Sequence, residues 1–557
     1  MPGRRAAGQQ LMLKDSYWSL LSATGRCSWR VSRCRAIQGL GQALVTFNPN
    51  LRSFRVPGPR DSAGVVERRQ EASMEILQRL QEVVGQERVS AREEDLVRYA
   101  SDFSLCRPST PDAVVWPTTA AQVGQIVKAA NECNVPLIPV SSRVHFYGAT
   151  VPKQGGIVVD LSSMEKIHEV DTENRFVRFE AGVTWRQLVE ELKSYDMRVI
   201  MPLCPHPERS VLTDTLEREV PTNVVYDYGE PMQSVEVVWP TGEIFRCGSA
   251  SVSGFPESKS RGVNPSGPGI DFYRFIQGAQ GTFGIVTWMS LKIESIPRLD
   301  KVFFSPSDDL SYLIDFLYRI LPRRIGQECL ILNSVDLALL LAEDDKDIPA
   351  VEAKLPPWTL ILVISGLRRR PGEKIAYEEN FLRSVVKNEF PRIVLWEDLP
   401  GLAGSGRKML NLLRSPWPED VTYWKHRKKG RCQSLFFITR PMRVPQFIEI
   451  MKDVAAGLDY PMREVGIYVQ PIEHNRACQL EFDLFYDPSA EPERAVVERL
   501  FSKASHEMFK NGAFFTRPYG ELAKMVYEKA ASYTMTLKKL KSIFDPRNVM
   551  NPGNLCF

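Results

Sequence analysis

Residues 136–152, with the sequence PLIPVSSRVHFYGATVP, form the first pattern in the chain that could do chemistry. A short apolar run that is typical of a buried strand passes into a loop of small residues. Small side chains let backbone N–H groups approach an anion, so the pattern favours a phosphate-binding loop. The loop lacks a G-x-G-x-x-G sequence and no helix follows it directly, which argues against a Rossmann dinucleotide site. An ordinary junction between a strand and a loop is the alternative.

Two later segments also place small or polar residues beside apolar runs. They are SVLTDTLEREVPTNVVYDYG at residues 210–229 and FIQGAQGTFGIVTWMSLKI at residues 275–293. In the second segment, Gly278, Gly281 and Gly284 would let the backbone approach a ligand closely, because glycine has no side chain. Simple turn geometry is the alternative interpretation of these glycines.

The elements that would position these segments alternate between strands and helices. DAVVWP, VPLIPV, GGIVVDL and RFVRFEAGV are typical of strands, and SVEVVWPTGEIFRCG is typical of a hairpin that turns at Thr241-Gly242. TTAAQVGQIVKAANECN predicts a helix capped by Thr118 or Thr119, and TWRQLVEELKSYD predicts one capped by Thr184. GIVTWMSLKIESIP is interpreted as a final pair of strands. The fold class is therefore α+β.

A second block of strands and helices runs from about residue 300 to residue 515. Strand and helix patterns alternate there, which predicts one sheet covered by helices, and IYVQPIEHNRACQLEFDLFYDP predicts two of its strands. With 557 residues the chain is too long for a single hydrophobic core, so we expect at least two domains. The predicted division is an extension at 1–73, a first domain at 74–300, a second at 301–515 and a C-terminal segment at 516–557 that returns to the first.

Composition narrows the classes of function. The net charge of +4 is small for this length and argues against nucleic acid as the main partner. None of the ten cysteines forms a C-x-x-C pair, so neither a zinc ribbon nor an iron–sulfur cluster is predicted. No run of 18 apolar residues predicts a transmembrane helix. Scattered cysteines are typical of a reducing compartment, so the expected location is the cytoplasm.

Residues 1–73 differ from the rest of the chain. They hold eleven arginines and few acidic residues, and they show no sustained helical or strand period. The segment is interpreted either as a disordered extension, with the natural start at Met74, or as a targeting segment.

Taken in order, these segments resemble the FAD-binding domain of the vanillyl-alcohol oxidase and para-cresol methylhydroxylase flavoproteins. The loop from Pro139 to Ala149 resembles the family's pyrophosphate loop, and Ala181 to Trp185 resembles its aliphatic-Gly-Val-Thr turn. Ser210 to Glu219 resembles the family pattern S-I-I-G-N-T-M-E-R-G, although the last position holds glutamate instead of glycine. Segments 236–243 and 284–287 and the terminal D-P-x-x-x-x-N-P-G pattern complete the resemblance, which covers residues 95–300 and the last 45 residues well.

The resemblance implies a two-subdomain FAD-binding domain and an α+β cap over the flavin. It implies FAD, bound noncovalently here because no attachment residue can be placed; His145 is a weak candidate. The residues carried over as cofactor-binding are Pro139, Val140, Ser141, Ser142, Arg143, Gly148, Ala149, Ser210, Thr213, Thr215, Glu217, Gly284, Ile285, Val286 and Asn551. The family's phenol-oxidase aspartate has no clear counterpart, and Pro205-His206 stands nearby.

Three residues are the catalytic candidates. Arg517 stands where phenol-oxidising members of the family have an arginine, and it could hold a phenolate or carboxylate oxygen; a surface ion pair is the alternative. Tyr147 could hydrogen-bond the substrate or pack in the core. His474, which alternates with Cys478 on a predicted strand facing the flavin, is the third, although a lone histidine is more often structural. Two ligands are too few for a metal, so no metal site is predicted.

The predicted function is an FAD-dependent oxidoreductase. It would take a hydride from an organic alcohol, a para-alkylphenol or a hydroxy acid, and pass electrons to oxygen or to a separate protein acceptor such as an iron–sulfur protein. A homodimer is consistent with the resemblance. The alternatives are a glycolate- or D-lactate-type dehydrogenase of the same fold, whose histidine-rich metal motif we do not find, and a flavin-free binding or scaffold subunit.

Overall fold

The computed structural model of the chain describes residues 75–227, 229–252 and 264–557. The predicted extension at residues 1–73 lies outside the described residues. All described residues belong to one unit, residues 63–557. The proposed division at residue 300 stays a prediction, although one sheet ends at Ser295 and the next begins at Leu299.

A four-stranded sheet carries the loop that was predicted to bind phosphate. Its strands are β1 (Val89–Ser90), β2 (Ala113–Val115), β3 (Leu137–Val140) and β4 (Ile157–Asp160), in the order β1-β2-β4-β3. β4 pairs in parallel with both β2 and β3, and the strands are apolar because helices cover the sheet. The helices before and between these strands are α1 (residues 75–84), α2 (Glu93–Leu96) and α3 (Ala120–Cys133). The Thr119 side chain caps α3, as the sequence predicted.

A six-stranded sheet follows. Its strands are β5 (Ile167–Asp171), β6 (Phe176–Glu180), β7 (Met197–Val199), β8 (Met232–Val238), β9 (Ile244–Arg246) and β10 (Ile285–Ser295). The order is β5-β6-β10-β8-β9, and β7 also pairs with β10. The accompanying helices are α4 (Trp185–Ser194), α5 (Val211–Leu216) and α6 (Tyr273–Ile276). Thr184 forms a capping box with Gln187 at the start of α4, which confirms that predicted cap.

Two predictions for this sheet had opposite outcomes. The β8–β9 hairpin turns through Gly242 with φ 79°, as expected for the Thr-Gly turn. The predicted strand pair in GIVTWMSLKIESIP is wrong, because β10 runs through that segment without a break. It contains no turn residue, and its bulges let one long strand pair successively with β8, β6 and β7.

The third sheet is antiparallel and six-stranded, with helices on both faces. Its strands are β11 (Leu299–Ser307), β12 (Glu328–Asn333), β13 (Trp358–Gly366), β14 (Arg431–Thr439), β15 (Gly466–Ile472) and β16 (Ala477–Tyr486), in the order β11-β13-β12-β15-β16-β14. The helices are α7 (Leu310–Ile320), α8 (Ser334–Leu341), α9 (Ile348–Glu352), α10 (Pro371–Asn388), α11 (Ser405–Arg414), α12 (Val444–Ala456) and α13 (Glu491–Lys510). Separate apolar clusters on the two faces confirm the predicted sheet covered by helices.

The C-terminal segment packs against the first sheet. After α14 (Gly520–Lys529) and α15 (Ala531–Phe544), the tail pairs with β3: the Leu137 N–H donates to the Val549 carbonyl at 2.7 Å. The buried Lys541 ammonium donates to Asp545 at 2.7 Å and to the Met550 carbonyl at 2.9 Å. These bonds hold the N-P-G turn beside the loop after β3.

No helix within the described ranges is long and apolar enough to cross a membrane. The eight cysteines of those ranges are free thiols, five of them buried.

Candidate active site

A cleft opens where the loop after β3 meets α5, the start of β10 and the C-terminal tail. The space between its walls, including the part open to solvent, is about 710 Å³. Its lining residues are Pro139, Val140, Ser141, His145, Ala149, Thr150, Leu161, Leu212, Thr213, Leu216, Glu217, Ile276, Ala279, Gln280, Gly281, Phe283, Gly284, Ile285, Val286 and Asn551. We refer to this space as the cleft.

Local structure keeps the cleft walls close together. Gly281 has φ 71°, and a Cβ there would lie 2.4 Å from Pro139 Cγ, so only glycine allows this approach. The Ser141 and Thr213 hydroxyls contact each other across the cleft floor. Gly281 is one of the three glycines that the sequence predicted to allow close approach to a ligand.

Three buried polar atoms beside the cleft have no hydrogen-bond partner among the described residues: His145 Nδ1, Gln280 Oε1 and Asn551 Oδ1. The second polar atom of each of these side chains has a hydrogen-bond partner. His145 Nε2 lies 2.7 Å from the Ser142 carbonyl, and Asn551 Nδ2 donates to the Gln280 carbonyl at 2.7 Å. Burial lowers the pKa of His145 to about 3, so its ring is neutral and Nδ1 can accept a hydrogen bond. The cleft therefore suits a ligand with several hydroxyl and N–H donors, and FAD has such donors on its ribityl chain and its rings.

Ten of the fifteen residues predicted to bind cofactor line the cleft. They are Pro139, Val140, Ser141, Ala149, Thr213, Glu217, Gly284, Ile285, Val286 and Asn551. The other five, Ser142, Arg143, Gly148, Ser210 and Thr215, do not line it, and their predicted contact with the cofactor stays a prediction. Arg143 is exposed, whereas the Ser210 hydroxyl donates to the Ala181 carbonyl at 2.7 Å and caps α5.

A second cavity lies between the loop after β3, the α5 region and the third sheet. Its lining residues are Phe146, Tyr147, Pro202, Leu203, Pro205, His206, Arg209, Asp214, Glu219, Val220, Tyr423, Trp424, Lys425, Tyr468, Gln479 and Glu481. We refer to it as the pocket. Arg209, which lines the pocket, pairs with Glu217, which lines the cleft, so the two spaces meet at this ion pair.

Buried charges dominate the pocket. Arg209 is 2% exposed and pairs with both Asp214 and Glu217. Arg517 is 3% exposed, and its Nη1 lies 2.7 Å from Glu219 Oε1. Two guanidinium groups therefore face three carboxylates whose oxygens lie within 4.8 Å of one another. Each of the three carboxylates has a guanidinium partner, and Asp214 and Glu217 share the same one.

Aromatic rings hold Arg517 in place. Its guanidinium lies 3.8 Å from the Phe436 ring centroid and 5.5 Å from that of Tyr147. Tyr147 stacks on Tyr519 at 4.9 Å and donates its hydroxyl proton to Glu219. Tyr147 and Arg517, both predicted from the sequence, thus meet at one carboxylate that was not predicted as a site residue.

Two neighbouring carboxyl groups have opposite pKa shifts. Burial, partly offset by Arg209, raises the pKa of Glu217 to about 7. Burial also disfavours the ionised form of Glu219, but Arg517 and Arg209 outweigh it and lower the pKa of that carboxyl. Glu219 is therefore ionised at neutral pH, whereas Glu217 can exchange a proton there.

The structure does not bring His474 to either cavity. It lies in the β15–β16 turn with φ 55°, and its backbone N–H donates to the Val224 carbonyl. On β16, Cys478 faces the apolar core, while Gln479 and Glu481 line the pocket. The expectation that His474 and Cys478 alternate on one strand is wrong, because His474 lies in the turn before β16 and Cys478 faces the apolar core. The side chains one residue further along the strand face the pocket instead. Polar residues at alternate positions of a buried strand were the signal that could have found this face.

Comparisons with known proteins agree with this geometry. Residues 111–248 match the family described as FAD binding domain. The mitochondrial D-lactate dehydrogenase (cytochrome) of Arabidopsis thaliana is 23% identical, over 80% of this chain and 73% of the relative. The flavoprotein subunit of 4-cresol dehydrogenase (hydroxylating) from Pseudomonas putida is 26% identical, over 86% of this chain and 94% of the relative.

The same fold occurs among solved structures. p-Cresol methylhydroxylase with substrate bound superposes with a TM-score of 0.73, covering 88% of this chain and 97% of that one. The two sequences are 20% identical, so this likeness shows the fold.

Proposed function

We propose that this chain, an FAD-dependent oxidoreductase of the fold and sequence group of p-cresol methylhydroxylase and D-lactate dehydrogenase, oxidises a small organic alcohol or phenol in the pocket. One observation carries the proposal. A buried, charged pocket adjoins the cleft lined by most of the predicted FAD-binding residues, and Arg209 and Glu217 connect the two spaces.

The cleft residues would hold the cofactor. Asn551 Oδ1, Gln280 Oε1 and His145 Nδ1 are free to accept hydrogen bonds, and the loop from Pro139 to Ala149 provides small side chains. FAD bound there would supply acceptance of a hydride from the substrate. The protein's own residues must then orient the substrate and take its hydroxyl proton.

Glu217 is the proposed proton acceptor. It lines the cleft, is largely buried and is held by Arg209, which also reaches the pocket. Its pKa of about 7 suits a general base at neutral pH, because the carboxylate is available there and still basic. Arg209 stacks over Phe146 at 4.9 Å, which fixes the direction from which it holds the carboxylate.

The rate of flavin reduction should therefore rise with pH through about 7. A base must be ionised to act, and a carboxyl group with a raised pKa is mostly protonated below that value, so the rate should fall about tenfold per pH unit there. Anaerobic stopped-flow between pH 5 and 9 measures the profile, with flavin content checked at each pH. Glu217→Gln should lose the rise while keeping flavin. A wild-type profile that is flat between pH 5 and 9 contradicts the role of Glu217.

Oxidation of a 2-hydroxy acid is the second candidate. Its support is the similarity to a D-lactate dehydrogenase over 80% of this chain. A hydroxy acid needs a cation for its carboxylate, and the buried guanidinium groups of Arg209 and Arg517 are already paired. The flavin-free scaffold has no support, since residues 111–248 match an FAD binding domain.

We also propose that FAD is bound noncovalently. A separate protein would accept the electrons, and the chain would form a homodimer. The 4-cresol dehydrogenase relative is named as a flavoprotein subunit, which supports a partner for electron transfer. The free cysteines in the described ranges support a location in the cytoplasm.

Two measurements test the function. The visible spectrum of the purified protein should be that of a flavoprotein, and denaturation in acid should release the flavin. Under anaerobic conditions, a panel of alcohols, para-alkylphenols and 2-hydroxy acids is then mixed with the protein, and at least one alcohol or phenol should bleach the flavin. A flavoprotein that is bleached only by hydroxy acids would favour the second candidate, and a colourless protein would overturn the proposal.

A further inference from the structure

Glu219 occupies the place in the pocket where an anionic substrate oxygen would be expected. Arg517 is buried beneath it, with Phe436 under the guanidinium at 3.8 Å. The Tyr147 hydroxyl donates to the same carboxylate oxygen. A planar guanidinium and a phenolic hydroxyl that converge on one oxygen form a site for an anion. In this chain the anion is part of the protein.

A local turn directs Glu219 into this position. The helix α5 ends at Leu216, and Arg218 adopts a left-handed conformation with φ 60°. The Glu219 N–H donates back to the Asp214 carbonyl at 2.9 Å, as in a helix-terminating turn. Arg218 is itself held by the Gln277 carbonyl at 2.9 Å. The pattern that this segment resembles ends in glycine, which has no side chain to place in the pocket.

The cations around Arg517 have partners within the protein without a substrate. Arg517 Nη2 donates to Gln479 Oε1 at 3.3 Å, and Gln479 donates to Glu481 at 2.8 Å. Glu481 pairs with Lys425, which also lines the pocket. Lys425 also lies 3.1 Å from Asp483. The three cations that border the pocket in the described structure therefore all have carboxylate partners.

We infer that Glu219 is a specificity-determining residue that excludes anionic substrates and selects uncharged ones. This inference rests on the proposed function and names its substrate class. A carboxylate or phenolate entering the pocket would displace Glu219 from Arg517 or lie beside it unpaired, and both outcomes are costly in a buried site. An uncharged alcohol or phenol leaves the pair of Glu219 and Arg517 intact, because it brings no second anion into the pocket.

The test compares the binding of two probes of similar size, benzyl alcohol and benzoate. Anaerobic titration calorimetry is carried out on the holoenzyme at pH 8, where benzoate is fully ionised. The wild-type protein should bind benzoate at least about tenfold more weakly than benzyl alcohol. Glu219→Gln keeps the shape and frees the charge of Arg517, so the affinity for benzoate should rise about 10- to 100-fold, as expected for a hydrogen bond to a charged group.

Two further variants separate this effect from a general disturbance. In Glu219→Gln/Arg517→Met the cation is absent, so the gain in benzoate affinity should disappear. Glu190→Gln removes an exposed carboxylate of α4 that lines neither the cleft nor the pocket, so it should leave both affinities unchanged. If Glu219→Gln does not fold, the wild-type preference for benzyl alcohol over benzoate still tests the inference.

Failure of the inference can be distinguished from failure of the proposed function. Wild-type protein that binds benzoate as tightly as benzyl alcohol overturns the selectivity, whether or not an alcohol bleaches the flavin. Glu219→Gln that folds, retains flavin and binds benzoate no better than wild type also overturns it. A gain in benzoate affinity supports the inference even if no alcohol of the panel reduces the flavin.

Discussion

Replacing Arg517 by alanine should lower the rate of flavin reduction by roughly 30- to 1,000-fold, which corresponds to about 2–4 kcal/mol of lost transition-state stabilisation. The guanidinium holds Glu219 at 2.7 Å and Gln479 at 3.3 Å. Without it, the carboxylate of Glu219 is buried without its main cation, and its pKa rises because desolvation then dominates. Glu219 and Tyr147, which line the pocket and contact each other, would then be misplaced relative to the substrate.

Because Arg517 acts through Glu219, it is a positioning residue, and the rate should fall more than the affinity. Stopped-flow reduction at several substrate concentrations separates the two quantities. Arg517→Lys should recover only part of the rate, since an ammonium keeps the charge but lacks the planar fork that reaches both partners.

Arg383→Ala is the matched control for this experiment. Arg383 pairs with Glu379 on the exposed side of α10, where one such pair contributes less than about 1 kcal/mol to stability. The control should leave both flavin content and reduction rate unchanged. If Arg517→Ala retained its flavin and reduced it within twofold of the wild-type rate, the residue would be only a structural ion pair, and Tyr147 would be the next candidate.

Replacing Gly148 by leucine should abolish retention of the flavin. Gly148 has φ 75°, and an added Cβ would lie 2.8 Å from Cys106 Cβ. Its N–H also donates to Asp102 at 2.7 Å, so the loop cannot shift without losing a bond to a buried carboxyl group. The next two residues, Ala149 and Thr150, line the cleft, and they must move with Gly148. We expect the flavin content to fall below about a tenth of the wild-type value.

Gly372→Leu is the control for this substitution. Gly372 is exposed on α10, and a Cβ there meets no atom within 4 Å. The ratio of flavin to protein absorbance measures retention, and circular dichroism shows whether the rest of the fold remains. Unchanged flavin content in Gly148→Leu, with the fold intact, would mean that this loop does not hold the cofactor.

The structure supports the same expected loss of flavin in Gly148→Leu but gives a different physical reason for it. From the sequence, bulk at Gly148 was expected to push the backbone away from a pyrophosphate. In the structure, Gly148 borders a neighbouring cavity and is held against Cys106. Close approach to the cleft is provided by Gly281 instead.

Local patterns in the sequence were sufficient for most elements of the FAD-binding region. A helix cap such as Thr184, a Thr-Gly hairpin turn and a small-residue loop after an apolar strand each depend on residues close in the chain. Most of the cleft could therefore be predicted, because these local elements carry its lining residues. The unbroken strand β10 was missed, since its pairing with three different strands is set by distant residues.

Which residues meet in the pocket depends on the tertiary structure alone. Arg517 and Tyr147 were identified one by one, but their common partner Glu219 could not be, because the contact joins three segments far apart in the chain. The face of β16 that lines the pocket could not be predicted either, since a strand buried on both sides has no water-facing side to set its register. The sequence by itself indicated an FAD-binding region and identified Arg517 as a candidate, but not that this arginine is buried. Only the folded chain placed a carboxylate on that arginine, because the balance of buried charges depends on which side chains packing brings together.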